Sequence, residues 1–291
     1  MNPLNLLFLF ADNFAFIVLS AVGLAVIFGM MGVINLGHGE FIMIGAYGTT
    51  LSANAGVPLP LAMVIGVLVT AVMGFVLERT IIRRLYDRLL DSMVATWAIG
   101  LILTQGVRIA LGNSIPQIST PLGTIAYGEF SYSTYRVVLS VVALAVLAGL
   151  YVLFTRTEFG IRARATIQDP DTARALGVDT DRMYTSTFVI GSALAGLTGA
   201  LYAPTLTVVP GMGSSFLVEA FVAVVIGGPS VLLGTTLSGG LLGVIDALFT
   251  NLYGTFFGQI AMLLTAIVVI RLLSNGLTGL VEDVRNRMEG E

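Results

Sequence analysis

The amino-acid sequence predicts an all-α polytopic membrane protein, and three observations carry that reading. Of its 291 residues, 56% are hydrophobic and only 11% are charged, against roughly 25% charged residues in soluble domains. Mean hydropathy is +0.94, so too little charge remains to cover a water-facing surface. Apolar stretches of the ~20 residues that cross a ~30 Å hydrocarbon core recur along the chain. The same arithmetic excludes a disordered chain, a collagen-like fibre and a secreted disulfide scaffold.

The stretches fall at about 14–34, 40–54, 59–77, 92–111, 137–154, 184–204, 216–229, 231–250 and 256–273, giving eight to nine membrane segments. Two of them, 40–54 and 216–229, are short and flanked by Gly-rich breaks. They suggest an internal inverted repeat within one transmembrane domain, 1–291. The N-terminus, Met1 to Asn13, has no basic n-region, which argues against a cleaved signal peptide.

Arginine placement orients the bundle. Arg79, Arg83, Arg84 and Arg88 share one short loop, and Arg156, Arg162, Arg164, Arg174 and Arg182 share another; Arg271, Arg285 and Arg287 lie near the C-terminus. The positive-inside rule puts loops 78–91 and 155–183 and the C-terminus in the cytoplasm. Arg108 and Arg136 flank the 112–135 loop on the other side, and the N-terminus lies outside if 40–54 crosses fully. Small residues at helical spacing, Gly191, Ala195 and Gly199, and Gly239 with Gly243, allow close helix packing in lipid.

Three absences narrow the chemistry. Cys is 0 and His is 1, so thiol chemistry and a polyhistidine zinc site are unavailable. All 14 basic residues are Arg, so no Lys exists for a P-loop or a Schiff base. If the chain moves a solute at the expense of ATP, another chain must hydrolyse it, and no cofactor is expected here.

Three segments could carry function. The first is Gly32-Val-Ile-Asn35-Leu-Gly-His38-Gly-Glu40. Its glycines break a helix cheaply, Asn35 or His38 can satisfy the freed amides, and Glu40 suits the positive end of a new helix. The segment is either a capped turn at a membrane edge or part of a translocation path, because ionisable groups at membrane depth usually face a cavity. The second is Gly211-Met-Gly-Ser-Ser215-Phe-Leu-Val-Glu219, ending in Gly227-Gly228-Pro229. Matched, interrupted short segments point to a transport path. Asn35, His38 and Glu40, with Ser215, Glu219, Gly227 and Gly228, are therefore the expected path residues. Asp246 is left without a role. The third is the loop 155–183, where Asp169 reads as an N-cap, Pro170 as the first helical residue, Asp171 as a dipole partner and Gly177 as the stop. A helix this short needs a partner, so it is expected either to lie on its own bundle or to dock a cytoplasmic subunit, through residues such as Arg174 and Leu176.

These segments carry a family resemblance. The run from Phe28 to Tyr47 resembles the early signature of membrane subunits of branched-chain amino-acid, urea and amide ABC importers. The stretch Gly160–Ile190 resembles their cytoplasmic coupling region, and Val224–Gly243 their late glycine region, with Pro229-Ser230 where a less rigid pair is common. Ala95-Thr96-Trp97 resembles the urea-type members; a packed or lipid-facing Trp is the alternative. The resemblance implies an importer permease in a prokaryotic inner membrane, paired with a second related permease or an identical copy. It also implies two cytoplasmic ATPase subunits that hold the ATP, and an extracytoplasmic substrate-binding protein. Two other classes remain to be weighed: a stand-alone secondary transporter or channel, and an intramembrane hydrolase using Ser192, for which His38 is the sole imidazole.

Overall fold

The computed structural model describes residues 3–86, 88–127, 130–228, 230–273 and 276–280. Pro229 of the late break and Arg285 and Arg287 of the C-terminal basic group lie outside the described residues. The chain runs α1 (Pro3–Met31), α2 (His38–Asn54), α3 (Leu59–Thr80), a 3-10 turn (Ile82–Leu85) and α4 (Leu89–Leu111). A hairpin of β1 (Thr124–Tyr127) and β2 (Phe130–Ser133) leads into α5 (Thr134–Arg156). Then follow α6 (Glu158–Gln168), α7 (Pro170–Ala175), α8 (Thr180–Tyr202), α9 (Gly213–Gly227), α10 (Val231–Tyr253) and α11 (Thr255–Leu272). Seven of these, α1, α3, α4, α5, α8, α10 and α11, are long and apolar enough to cross a membrane. The two remaining apolar helices, α2 with 17 residues and α9 with 15, are the short segments expected from the sequence.

Two features depart from that expectation. Helix α1 starts at Pro3, not near residue 14, because Pro suits a first turn and no breaker follows it. Within the 112–135 loop the chain pairs Thr124 with Ser133 and Ile125 with Tyr132 in an antiparallel hairpin.

The chain divides into two compact units. One comprises Val22–Thr120 and Gly149–Val218. Here α2 is sandwiched by α3 and α8 at glycine contacts: Gly45 against Gly196, Gly48 against Gly66, and Gly199 against the backbone of Ile42. A Cβ on Gly196 would stand 2.7 Å from Thr70 Cβ, so only glycine admits this approach. Without a water-driven hydrophobic effect between helices in lipid, such close packing is what holds them together. At the end of α3, Ile82 is fully buried, Tyr86 donates to Glu78 and its ring lies 5.0 Å from that of Tyr184. Burial and the Glu78 carboxylate push the Tyr86 phenol well above its ordinary range. Met30, Ala163 and Met183, with Phe154 and Phe159 against them, seat the root of α6.

The other unit comprises residues 1–21, 121–148 and 219–291. Phe8 stacks on Tyr132 of the hairpin at 4.1 Å, and Tyr132 donates to Asn5 Oδ1 at 2.6 Å. Arg136 pairs with Asp12, and Ser140 donates to the Ala11 carbonyl at 2.9 Å, joining α5 to α1. Gly239 and Gly243 let α10 lie against Phe14 and Val18. Asn5 donates to Asn251 at 2.7 Å.

Candidate translocation site and arginine-rich loop

In the unit containing α2, the chain leaves α1 at Gly32, φ +62°, and re-enters a helix at His38. Asn35 is 1% exposed and its Oδ1 accepts the Gly37 amide at 3.0 Å, closing a turn that caps nothing else. Its Nδ2 has no hydrogen-bond partner among the described residues. Thr96 on α4 accepts the Leu36 amide at 3.0 Å and donates to the Ile34 carbonyl at 3.3 Å. Thr96, which also bonds back to the Ser92 carbonyl at 2.8 Å, thus ties the break to the neighbouring helix. Glu40 lies in the first turn of α2 and faces Gly100, where a Cβ would stand 3.0 Å from its Oε2. His38 is fully buried beside Gly23. The entry of α9 meets this turn, since Gly39 and Gly213 touch through their backbones. Ser215, two residues on, is exposed and donates to the Met212 carbonyl at 2.9 Å.

Further along α2, Tyr47, Thr49 and Thr50 are buried, and their hydroxyls have no partner among the described residues. A helical Thr commonly bonds back to the carbonyl four residues earlier, as Thr70 does to Gly66 at 2.9 Å. Thr49 and Thr50 leave that option unused. The sequence reading passed over them because hydroxyls in an apolar helix carry no signal of their own.

In the other unit, Glu219 faces Asp246 across a cavity of about 100 Å³, whose wall also carries Asn13, Thr255 and Gln259. Asn13 donates to Asp246, which had no partner legible in the sequence. Gly227 packs against Gly234, and Gly228 has φ +87°. The seven expected path residues thus divide: Asn35, His38, Glu40 and Ser215 in one unit, Glu219, Gly227 and Gly228 in the other. Ser192, the serine a hydrolase would need, donates to the Phe188 carbonyl at 2.8 Å and lies against Gly74.

The loop 155–183 is built around α7. Asp169 accepts the amides of Asp171 at 3.0 Å and Thr172 at 3.1 Å, with Pro170 opening the helix. At the far end Gly177, φ +90°, donates to Arg174 O and Val178 to Ala173 O, each at 3.0 Å. That pair is a Schellman stop. Arg174 bonds Asp171 at 3.2 Å and Thr180 at 2.9 Å, tying α7 to the start of α8. Hydrogen bonds from the Thr172 hydroxyl and amide hold the Asp169 carboxyl below its ordinary range. Leu176, between helix and stop, is 80% exposed.

A family model described as the permease component of a branched-chain amino-acid transport system matches residues 6–273. The chain belongs to that family of ABC transport permeases. It is 30% identical over 279 residues to the high-affinity branched-chain amino-acid permease protein BraD of Pseudomonas aeruginosa, covering 90% of this chain and 91% of that one. It is 29% identical to the probable branched-chain amino-acid permease protein LivH of Methanocaldococcus jannaschii, over 90% of this chain and 88% of that one. A partial match joins it to the permease protein LivM of Salmonella typhimurium, 30% identical over 72% of this chain and 56% of that one. No solved structure matches. With seven apolar spans and permease relatives, it is a multi-pass inner-membrane protein, and its family transports rather than catalyses.

In this permease Trp97, singled out for its urea-type likeness, is 56% exposed, whereas its neighbour Thr96 is buried against the 32–37 break. The likeness between the two residues therefore hides two different jobs.

Proposed function

We propose that this permease forms the membrane path of an ATP-driven importer of branched-chain amino acids and receives mechanical work through α7. The observation that carries the proposal is α7 itself, a six-residue helix closed at both ends that holds Leu176 80% exposed beside the bundle. A helix so short has no stability alone, and a fixed, exposed leucine fits a partner's surface. Ile161 and Ile167 on α6, 61% and 46% exposed, extend the apolar face available to that partner. The partner is a cytoplasmic ATPase subunit, two per transporter, and ATP stays on it because this chain has no Lys for a phosphate loop. A stand-alone transporter or channel would have no use for this helix.

On this reading Asp169, Pro170, Asp171, Arg174 and Gly177 fix the docking helix and Leu176 contacts the ATPase. Each helix break offers polar groups to a passing solute: Asn35, Glu40 and Ser215 from one unit, Glu219 and the backbone at Gly227 and Gly228 from the other. His38, enclosed, shapes its turn. Branched-chain amino acids are favoured over urea or short amides by the names of BraD and LivH. The partial similarity to LivM supports a second, related permease as the membrane partner over an identical copy. An extracytoplasmic binding protein supplies the substrate.

The test is reconstitution of the permease in proteoliposomes with its co-expressed partner subunits and binding protein. ATP-dependent leucine uptake is expected from the assembly, with no ATP hydrolysis from this chain alone. Leucine uptake by the chain alone, driven by an ion gradient, would overturn the proposal.

A further inference from the structure

We propose that a pocket between the end of α3 and the start of α8 holds the phosphodiester of a membrane phospholipid. The pocket encloses about 520 Å³ and gathers three guanidiniums, those of Arg79, Arg83 and Arg182. Two are already matched: Arg83 pairs with Asp181, and Arg182 with Asp179 at 2.9 Å. Arg79 has no carboxylate within ion-pair distance among the described residues, and its guanidinium lies 5.7 Å from the centre of the Phe75 ring. Three cations less two anions leave one positive charge, which suits the single negative charge of a phosphodiester. Ser186 on the same wall adds a hydroxyl donor, whereas the Thr185 hydroxyl is already committed to the Asp181 carbonyl at 3.0 Å.

The surroundings identify the source of that phosphate. Leu68, Val72, Phe75 and Arg79 follow one another at helical spacing on a single face of α3. The three apolar ones are 58%, 62% and 44% exposed. An apolar, lipid-facing stripe therefore ends in an unmatched guanidinium at the cytoplasmic mouth of the span, where headgroups lie. Acyl chains fit the stripe and the phosphate fits the pocket; a free phosphate would use only the second. A phosphate bridging Arg79 and the start of α8 would also steady Thr180, to which Arg174 ties α7. That consequence for coupling rests on the function proposed above; the binding itself does not.

The test uses the permease assembled with its partner subunits, in nanodiscs holding equal amounts of phosphatidylglycerol and a diacylglycerol with the same acyl chains. Lipid retained after release is measured by native mass spectrometry. Phosphatidylglycerol should be retained over diacylglycerol, and Arg79→Gln should lower that preference about fivefold. Arg79→Lys should keep most of it, and Arg156→Gln, in the same cytoplasmic half, should leave it unchanged. Equal preference in wild type and R79Q overturns the proposal, as does an equal fall in R156Q, which would mark bulk charge attraction. Displacement of the lipid by millimolar inorganic phosphate would make this a soluble-anion site. Retention seen only when the ATPase subunits are left out would make it part of their interface. Either result overturns the lipid assignment.

Discussion

Gly199 on α8 approaches the backbone of Ile42 so closely that a methyl group there would overlap the carbonyl oxygen. Gly149, in α5, has nothing within 4 Å of the place a Cβ would take. Both are helical glycines, and their difference lies in what the neighbouring helix does. Overpacking a close contact costs about 1–3 kcal/mol, whereas Gly→Ala at an open helical site gains about 0.5–1 kcal/mol. Gly199→Ala should therefore lower the thermal midpoint of the detergent-solubilised permease, and Gly149→Ala should hold or raise it. A thermal shift assay on the two purified variants checks the pair. The glycine periodicity was readable in the sequence, but the partner of each glycine was not, since it belongs to another helix. The same limit hid Asp246: its contact with Asn13 and its position opposite Glu219 join α1, α9 and α10, which are far apart in the chain.

At the scale of elements, what local chemistry determines was legible and what distant packing determines was not. Asp169, Pro170 and Gly177 act within a few residues of themselves, so the ends of α7 follow from the sequence alone. The short helices α2 and α9 follow from glycine pairs for the same reason. The β1–β2 hairpin was missed, because Thr124–Ser133 shows no clean alternation and its register is held by Phe8 and Asn5 of α1. The cap on α7 makes a sharp prediction. Asp169→Ala removes the acceptor for two amides and should loosen the first turn of the helix, while Asp169→Asn should change it little. Because the folded carboxyl titrates below its ordinary value, its contribution is complete above the ordinary carboxylate pKa. It is lost as pH falls through the lower, folded value. Hydrogen exchange at the Asp171 and Thr172 amides, corrected for intrinsic rates, should therefore show constant protection from about pH 5 to 8 in wild type. In D169A it should be faster throughout.

For the whole molecule, composition decides the class, and the absence of Lys leaves this chain without a phosphate-loop residue of its own. A chain with 14 arginines and no Lys can be driven by ATP only through another chain, so the contact that transmits work is the centre of the account. Under the function proposed above, that contact is made by Leu176. Burying a leucine contributes about 1.5–3 kcal/mol, which corresponds to roughly tenfold or more in affinity. Since Leu176 is 80% exposed here, replacing it should not disturb folding of the permease itself. The decisive measurement is co-purification of the ATPase subunits with Leu176→Glu permease, with leucine uptake read on the same preparation. The variant should insert and melt as wild type does, retain the ATPase at least tenfold more weakly and lose uptake; full assembly with wild-type uptake would contradict the assignment of α7 as the coupling element.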